Sequence, residues 1–158
     1  MSSSLRVGDT MPDFTLPAHD GSQVSLASLR AQGPVVLFFY PRNETPGCTA
    51  QACSFRDQFA DFRAAGATVV GLSRGDVAAH AAFAAHRRLP YLLLCDEDDR
   101  VRRLLGVPRT LGIFPGRVTY VVAATGRIEM VYNSQFYVGQ HATRALAALR
   151  ALRPPLAA

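Results

Sequence analysis

The segment Pro34-Val35-Val36-Leu37-Phe38-Phe39-Tyr40 is an almost unbroken apolar run, rich in β-branched and aromatic side chains. A strand with one wet face alternates apolar and polar residues. A strand covered on both faces does not, and this run reads as the second kind. Residues 68–72 (TVVGL), 91–94 (YLLL) and 118–123 (VTYVVA) are further buried-strand candidates. Residues 126–132 alternate as a half-exposed strand should, directly after the hairpin-turn candidate Ala124-Thr125-Gly126. Helical stretches lie between the strands. Residues 49–64 place Ala52, Phe55, Phe59 and Phe62 on one apolar face. Residues 76–87 open on Asp76 as N-cap, and residues 140–152 carry Ala142, Ala145, Leu146, Leu149 and Leu152 on one side before Pro154-Pro155. Near the start, Asp20-Gly21 joins two short strand candidates, Phe14–Ala18 and Gln23–Leu26. The alternation predicts an α/β domain, a central mixed sheet with helices on both faces. At 158 residues, with no linker or repeat, one domain over 1–158 is expected.

Charge and length exclude several classes. The formal charge of +5 comes from arginine alone, since the chain has no lysine. Schiff-base and P-loop lysine chemistry are therefore out of reach. The arginines are scattered without a stripe of stacking aromatics, so a solvated basic surface is expected rather than a nucleic-acid site. No apolar run approaches the roughly 20 residues of a membrane span. The first residues resemble no secretory signal, and cytoplasm is the expected location. His19, His80, His86 and His141 show no ligand spacing and read as ordinary. Asp96-Glu97-Asp98-Asp99 lacks the glycine and distal glutamate of a calcium loop and reads as a solvated turn capping the next helix.

The chemistry concentrates in Tyr40-Pro41-Arg42-Asn43-Glu44-Thr45-Pro46-Gly47-Cys48-Thr49-Ala50-Gln51-Ala52-Cys53. This is where the strongest strand ends and a helix begins, the usual place for a site in an open α/β sheet. Pro46-Gly47 turns the chain, and Cys48 enters the first helical turn, where free N–H groups and the dipole favour a thiolate. In a regular helix, positions 48 and 53 stand about 8–9 Å apart, beyond the roughly 7 Å reach of a disulfide. A static structural disulfide does not fit that geometry, whereas a redox cycle with local unwinding does. The spacing also differs from the Cys-x-x-Cys of thioredoxin or zinc sites. Cys95, after Leu92-Leu93-Leu94, is expected to pack at a strand end.

Pro41-x-x-x-Thr45-x-x-Cys48 matches the peroxiredoxin active-site motif. The longer string Phe39-Tyr40-Pro41 … Thr45-Pro46-Gly47-Cys48-Thr49 … Ala52-Cys53-Ser54-Phe55-Arg56-Asp57 resembles the Q-type branch, also called bacterioferritin comigratory protein. The likeness extends from Gly8-Asp9 to Val131-Tyr132-Asn133-Ser134-Gln135-Phe136 and includes Pro115-Gly116-Arg117-Val118-Thr119-Tyr120-Val121. It implies a thioredoxin-like fold with an N-terminal β-hairpin extension. It implies a thiol peroxidase acting on hydrogen peroxide and organic hydroperoxides, without cofactor or metal. Cys48 would attack the O–O bond and become a sulfenic acid. Cys53 would resolve it as an intramolecular disulfide, which thioredoxin or a glutaredoxin-like dithiol would reduce. Thr45 would orient thiolate and peroxide, Pro41 would shield the sulfur, and Arg117 would sit beside Cys48 and stabilise negative charge. A monomer is expected.

Ser73-Arg74-Gly75-Asp76 departs from the family's usual Ser-x-Asp, and Ala123-Ala124-Thr125-Gly126 lacks its common acidic turn; neither is expected to touch the chemistry. Glu44 carries no expected role. A thiol–disulfide oxidoreductase on the same fold, or a redox sensor that oxidises once without turning over, are the competing functions.

Overall fold

The computed structural model describes residues 4–108 and 116–152. A short hairpin, β1 (Thr15–Pro17) and β2 (Gln23–Ser25), runs straight into α1 (Leu26–Arg30). There follow β3 (Val35–Phe39), α2 (Pro46–Asp57), α3 (Phe59–Ala64), β4 (Thr68–Ser73) and α4 (Val77–Arg87). The chain continues through β5 (Leu92–Cys95), α5 (Arg100–Leu104), β6 (Val118–Val122), β7 (Ile128–Asn133) and α6 (Gln140–Leu152). The five long strands form one sheet in the order β5-β4-β3-β6-β7. Pairing is parallel across β3, β4 and β5 and antiparallel across β3, β6 and β7. The mixed central sheet expected from the strand patterns is thus present, with β3 at its centre and every residue of it buried.

Alternation along β3 divides the core in two. Val35, Leu37 and Phe39 face one side with the N-terminal hairpin, α1 and α5. Val36, Phe38 and Tyr40 face the other with Cys48, Phe55, Phe62, Phe83 and Leu146, from α2, α3, α4 and α6. Phe38 stacks on Phe55 with ring centroids 4.4 Å apart, which fixes α2 over the central strand.

Three expectations need correction. Residues 49–64 are two helices, broken at Gln58 (φ −104°, ψ 12°), whose own side chain reaches back to the Ser54 carbonyl at 3.4 Å. The second strand of the hairpin stops at Ser25, because Ser25 caps α1 by accepting from Ser28 N at 3.1 Å. Asp96 is not solvated: it is 2% exposed, and its carboxylate accepts from the backbone N–H groups of Val101 and Arg102 at 3.0 and 2.9 Å. It does open the next helix, as expected. Pro115 and the Pro154-Pro155 stop lie outside the described residues.

Candidate active site

The carboxyl ends of the parallel strands β3, β4 and β5 lie together, at Tyr40, Ser73 and Cys95. Arg117 reaches the same edge because β6 runs the other way and begins there. α2 starts above this edge with Pro46 at its first position, where a missing N–H is harmless. Thr45 occupies the N-cap but makes no side-chain cap bond; its hydroxyl donates instead to the Arg42 carbonyl at 3.1 Å. The N–H groups of the first turn therefore keep their partial positive charge, and Cys48 sits among them, 1% exposed.

Arg117 closes on this turn from the sheet. A Cβ added to Gly47 would lie 3.2 Å from its Nη2, so the guanidinium packs closely on the residue preceding Cys48. Arg117 Nη1 donates to Gln51 Oε1, one turn further along α2. Arg117 is 4% exposed, and its Nε is buried with no hydrogen-bond partner among the described residues. Its backbone is held too: Ser134 N donates to the Arg117 carbonyl at 3.2 Å. Ser134 in turn accepts from His141 Nε2 at 2.8 Å, while His141 Nδ1 accepts from the Thr119 hydroxyl at 2.8 Å. Burial, with the Arg117 charge adding to it, holds the His141 imidazole down at about 4. A neutral ring donating to a carbonyl beside a cation follows from that.

Pro41, Arg42, Asn43 and Thr45 form one wall of an open cavity of about 680 Å³, and Ser73, Arg74 and Gly75 contribute to the other. The structure thus brings Pro41 and Thr45 to one cavity and Arg117 to the turn that carries Cys48. The segment around Arg74-Gly75 faces the same space. Glu44, for which no role was expected, adopts φ 64° and pairs with His86 Nδ1 at 2.8 Å and Arg87 Nε at 3.2 Å, both at the end of α4. The hydrogen bond from His86, more than the arginine charge, holds its carboxyl below the usual carboxylate range. Gln51 was likewise missed.

Cys53 lies in the regular part of α2, half-buried, and both it and Cys48 are free thiols. The helix around it is tied down. The Tyr91 hydroxyl donates to the Ala52 carbonyl at 2.6 Å, and Arg56 Nη1 donates to the Arg87 carbonyl at 2.7 Å. Cys95 ends β5, as expected, and its thiol is pushed up to about 11, chiefly by burial and then by Glu97 and Asp76.

A family model described as the AhpC/TSA family matches residues 7–131. The chain belongs to the AhpC/TSA family. Peroxiredoxin Q, chloroplastic, from Gentiana triflora is 50% identical over 135 residues, covering 85% of this chain and 62% of that protein. The chain thus spans less than two thirds of that relative's length. Peroxidoxin BcpB from Mycobacterium tuberculosis superposes with a TM-score of 0.88 at 42% identity, covering 95% of this chain and 99% of that one. The Xanthomonas campestris bacterioferritin comigratory protein superposes with a TM-score of 0.81 at 28% identity, covering 95% and 98%; its structure was determined for its alkyl peroxide reduction activity. The fold of this AhpC/TSA member is therefore thioredoxin-like. Among its described residues, no helix is long and apolar enough to cross a membrane.

Proposed function

We propose that this chain is a thiol-dependent peroxidase in which Cys48 is the attacking sulfur and Cys53 the resolving one. One observation carries the reading: Cys48 is buried in an uncapped first helical turn, with the Arg117 guanidinium packed on the adjacent Gly47. The free N–H groups and Arg117 place positive potential around the reacting sulfur. The Cys48 thiolate attacks one oxygen of the hydroperoxide, and the O–O bond breaks. The leaving oxygen takes a proton and departs as alcohol or water, with Cys48 left as a sulfenic acid. Thr45 orients the thiolate and peroxide, Pro41 shields the sulfur, and Arg117 stabilises charge on the departing oxygen.

The Cys53 thiolate then attacks Cys48 Sγ. An S–S bond forms, the S–O bond breaks and hydroxide leaves as water. Five residues of regular helix separate the pair by about 8–9 Å, so this step unwinds the start of α2. A thioredoxin or glutaredoxin-like dithiol reduces the disulfide by exchange. Substrates are hydrogen peroxide and, as for the Xanthomonas relative, alkyl hydroperoxides. A monomer of one domain, working in the reducing cytoplasm, completes the proposal.

The test is thioredoxin-coupled consumption of hydrogen peroxide and an organic hydroperoxide. Cys48→Ser should lose all turnover, and Cys53→Ser should react once without cycling. Activity in Cys48→Ser would end the peroxidase reading. Normal cycling in Cys53→Ser would pass resolution to Cys95 or to the reductant itself.

A further inference from the structure

His80, on α4, is fully buried and has no place in the chemistry above. Its two ring nitrogens are nevertheless both engaged. Nε2 lies 3.1 Å from the Leu94 carbonyl, and Nδ1 lies 2.9 Å from Asn43 Nδ2. Asn43 Oδ1 accepts from the Tyr40 hydroxyl at 2.8 Å. The proton positions follow from one fixed point. A carbonyl can only accept, so Nε2 carries the hydrogen. Burial lowers the His80 pKa and keeps the ring neutral, so Nδ1 has only a lone pair to offer. The Asn43 amide must then turn its N–H to Nδ1 and its oxygen to Tyr40.

The result is a directed chain, Tyr40 O–H to Asn43, Asn43 N–H to His80, and His80 N–H to Leu94. It stretches from the end of β3 through the loop 41–45 to the end of β5. Gly75 makes room for it, since a Cβ there would fall 2.4 Å from His80 Nδ1 and 2.8 Å from Asn43 Nδ2. Glu44, the next residue of the loop, is held by His86 and Arg87 at the end of the same helix. The loop that carries Pro41 and Thr45 is therefore fastened to α4 at two consecutive residues.

We propose that His80 is a positioning residue for the peroxidase site, acting through Asn43 to fix the 41–45 loop and hence Thr45 at the start of α2. The inference rests on the assignment of Cys48 as the reacting thiol.

Two replacements of His80 separate positioning from mere packing. In His80→Asn the side-chain oxygen takes the place of Nδ1 and accepts from Asn43. In His80→Gln the amide takes the place of Nε2 and keeps the Leu94 bond, and the link to Asn43 is lost. Asn43→Ala breaks the chain from the loop side without touching α4. Each variant is assayed for the pH dependence of Cys48 alkylation by iodoacetamide, followed by mass spectrometry, and for kcat/KM with hydrogen peroxide. Thermal melting checks that each is folded.

Asn43→Ala and His80→Gln should move Cys48 alkylation to higher pH and lower kcat/KM about tenfold. His80→Asn should stay within about twofold of the parent, and the double variant Asn43→Ala/His80→Gln should be no worse than either single one. Equal effects of His80→Asn and His80→Gln, or parental behaviour of Asn43→Ala, would overturn the proposal. Should the parent consume no peroxide, the peroxidase reading fails, yet the alkylation profile still decides whether His80 governs the Cys48 environment.

Discussion

Arg117 and Gln51 meet inside the protein, the arginine at the start of β6 donating through Nη1 to an amide oxygen one turn past Cys48. The bond holds the guanidinium against Gly47 only while α2 is wound. In the proposed cycle residues 48–53 unwind, which would take Gln51 with them and leave Arg117 without that acceptor. Gln51→Leu removes the acceptor permanently and leaves a buried guanidinium N–H unsatisfied, at a cost of about 1–3 kcal/mol. Urea unfolding should read that loss. Stopped-flow consumption of one equivalent of peroxide should slow in the same variant, about tenfold if roughly 1.4 kcal/mol of the loss falls on the transition state.

Tyr91→Phe should act in the opposite direction on the second step. Its hydroxyl bond to the Ala52 carbonyl holds α2 closed next to Cys53. Removing it costs about 1 kcal/mol of stability. It should also speed disulfide closure a few-fold, as measured by quenched alkylation after a single addition of peroxide. An unchanged closure rate would mean that α2 opens without releasing Tyr91.

Acid should weaken the fold through His141. Its folded pKa of about 4 lies below the 6.5 of a free imidazole. Between those values the unfolded chain binds a proton that the native state refuses. Stability is thus complete above about pH 6.5 and falls as pH drops toward 4, by on the order of 3 kcal/mol in total. His80, also lowered by burial, contributes with the same sign. Urea midpoints measured from pH 7 to pH 4.5 should show the slope, and His141→Asn should flatten it whatever its absolute stability.

Cys95 should be silent. Buried and pushed up to about 11, its thiol stays protonated at neutral pH. Native protein treated with iodoacetamide at pH 8 should carry no label at Cys95 by mass spectrometry, and urea should expose it. Labelling at a rate comparable to Cys53 would contradict a Cys95 thiol held protonated at neutral pH.

What the sequence revealed follows from where the determining partners lie. The β3 run and the Pro46-Gly47-Cys48 turn are local patterns, and both stand where periodicity and turn chemistry put them. Arg117 is distant in sequence from Cys48, and only resemblance singled it out. His80, Gln51 and Glu44 look ordinary because their partners come from other elements. A histidine on an alanine-rich helix says nothing of the asparagine it will face. α1 escaped notice because five residues are too few to show a period. The break at Gln58 escaped for the opposite reason: the apolar positions Phe55, Phe59 and Phe62 keep helical spacing straight across it.

That break sets how far a turnover could spread. α3 begins at Phe59 and sinks Phe62 wholly into the core, against Phe55. A continuous helix would carry an unwinding at Cys48 towards that anchor turn by turn, since each turn holds the next. A joint at Gln58 works as a perforation does in paper. If α2 opens as proposed, the tear would stop at a line already drawn, leaving the folded remainder as the template on which α2 closes again.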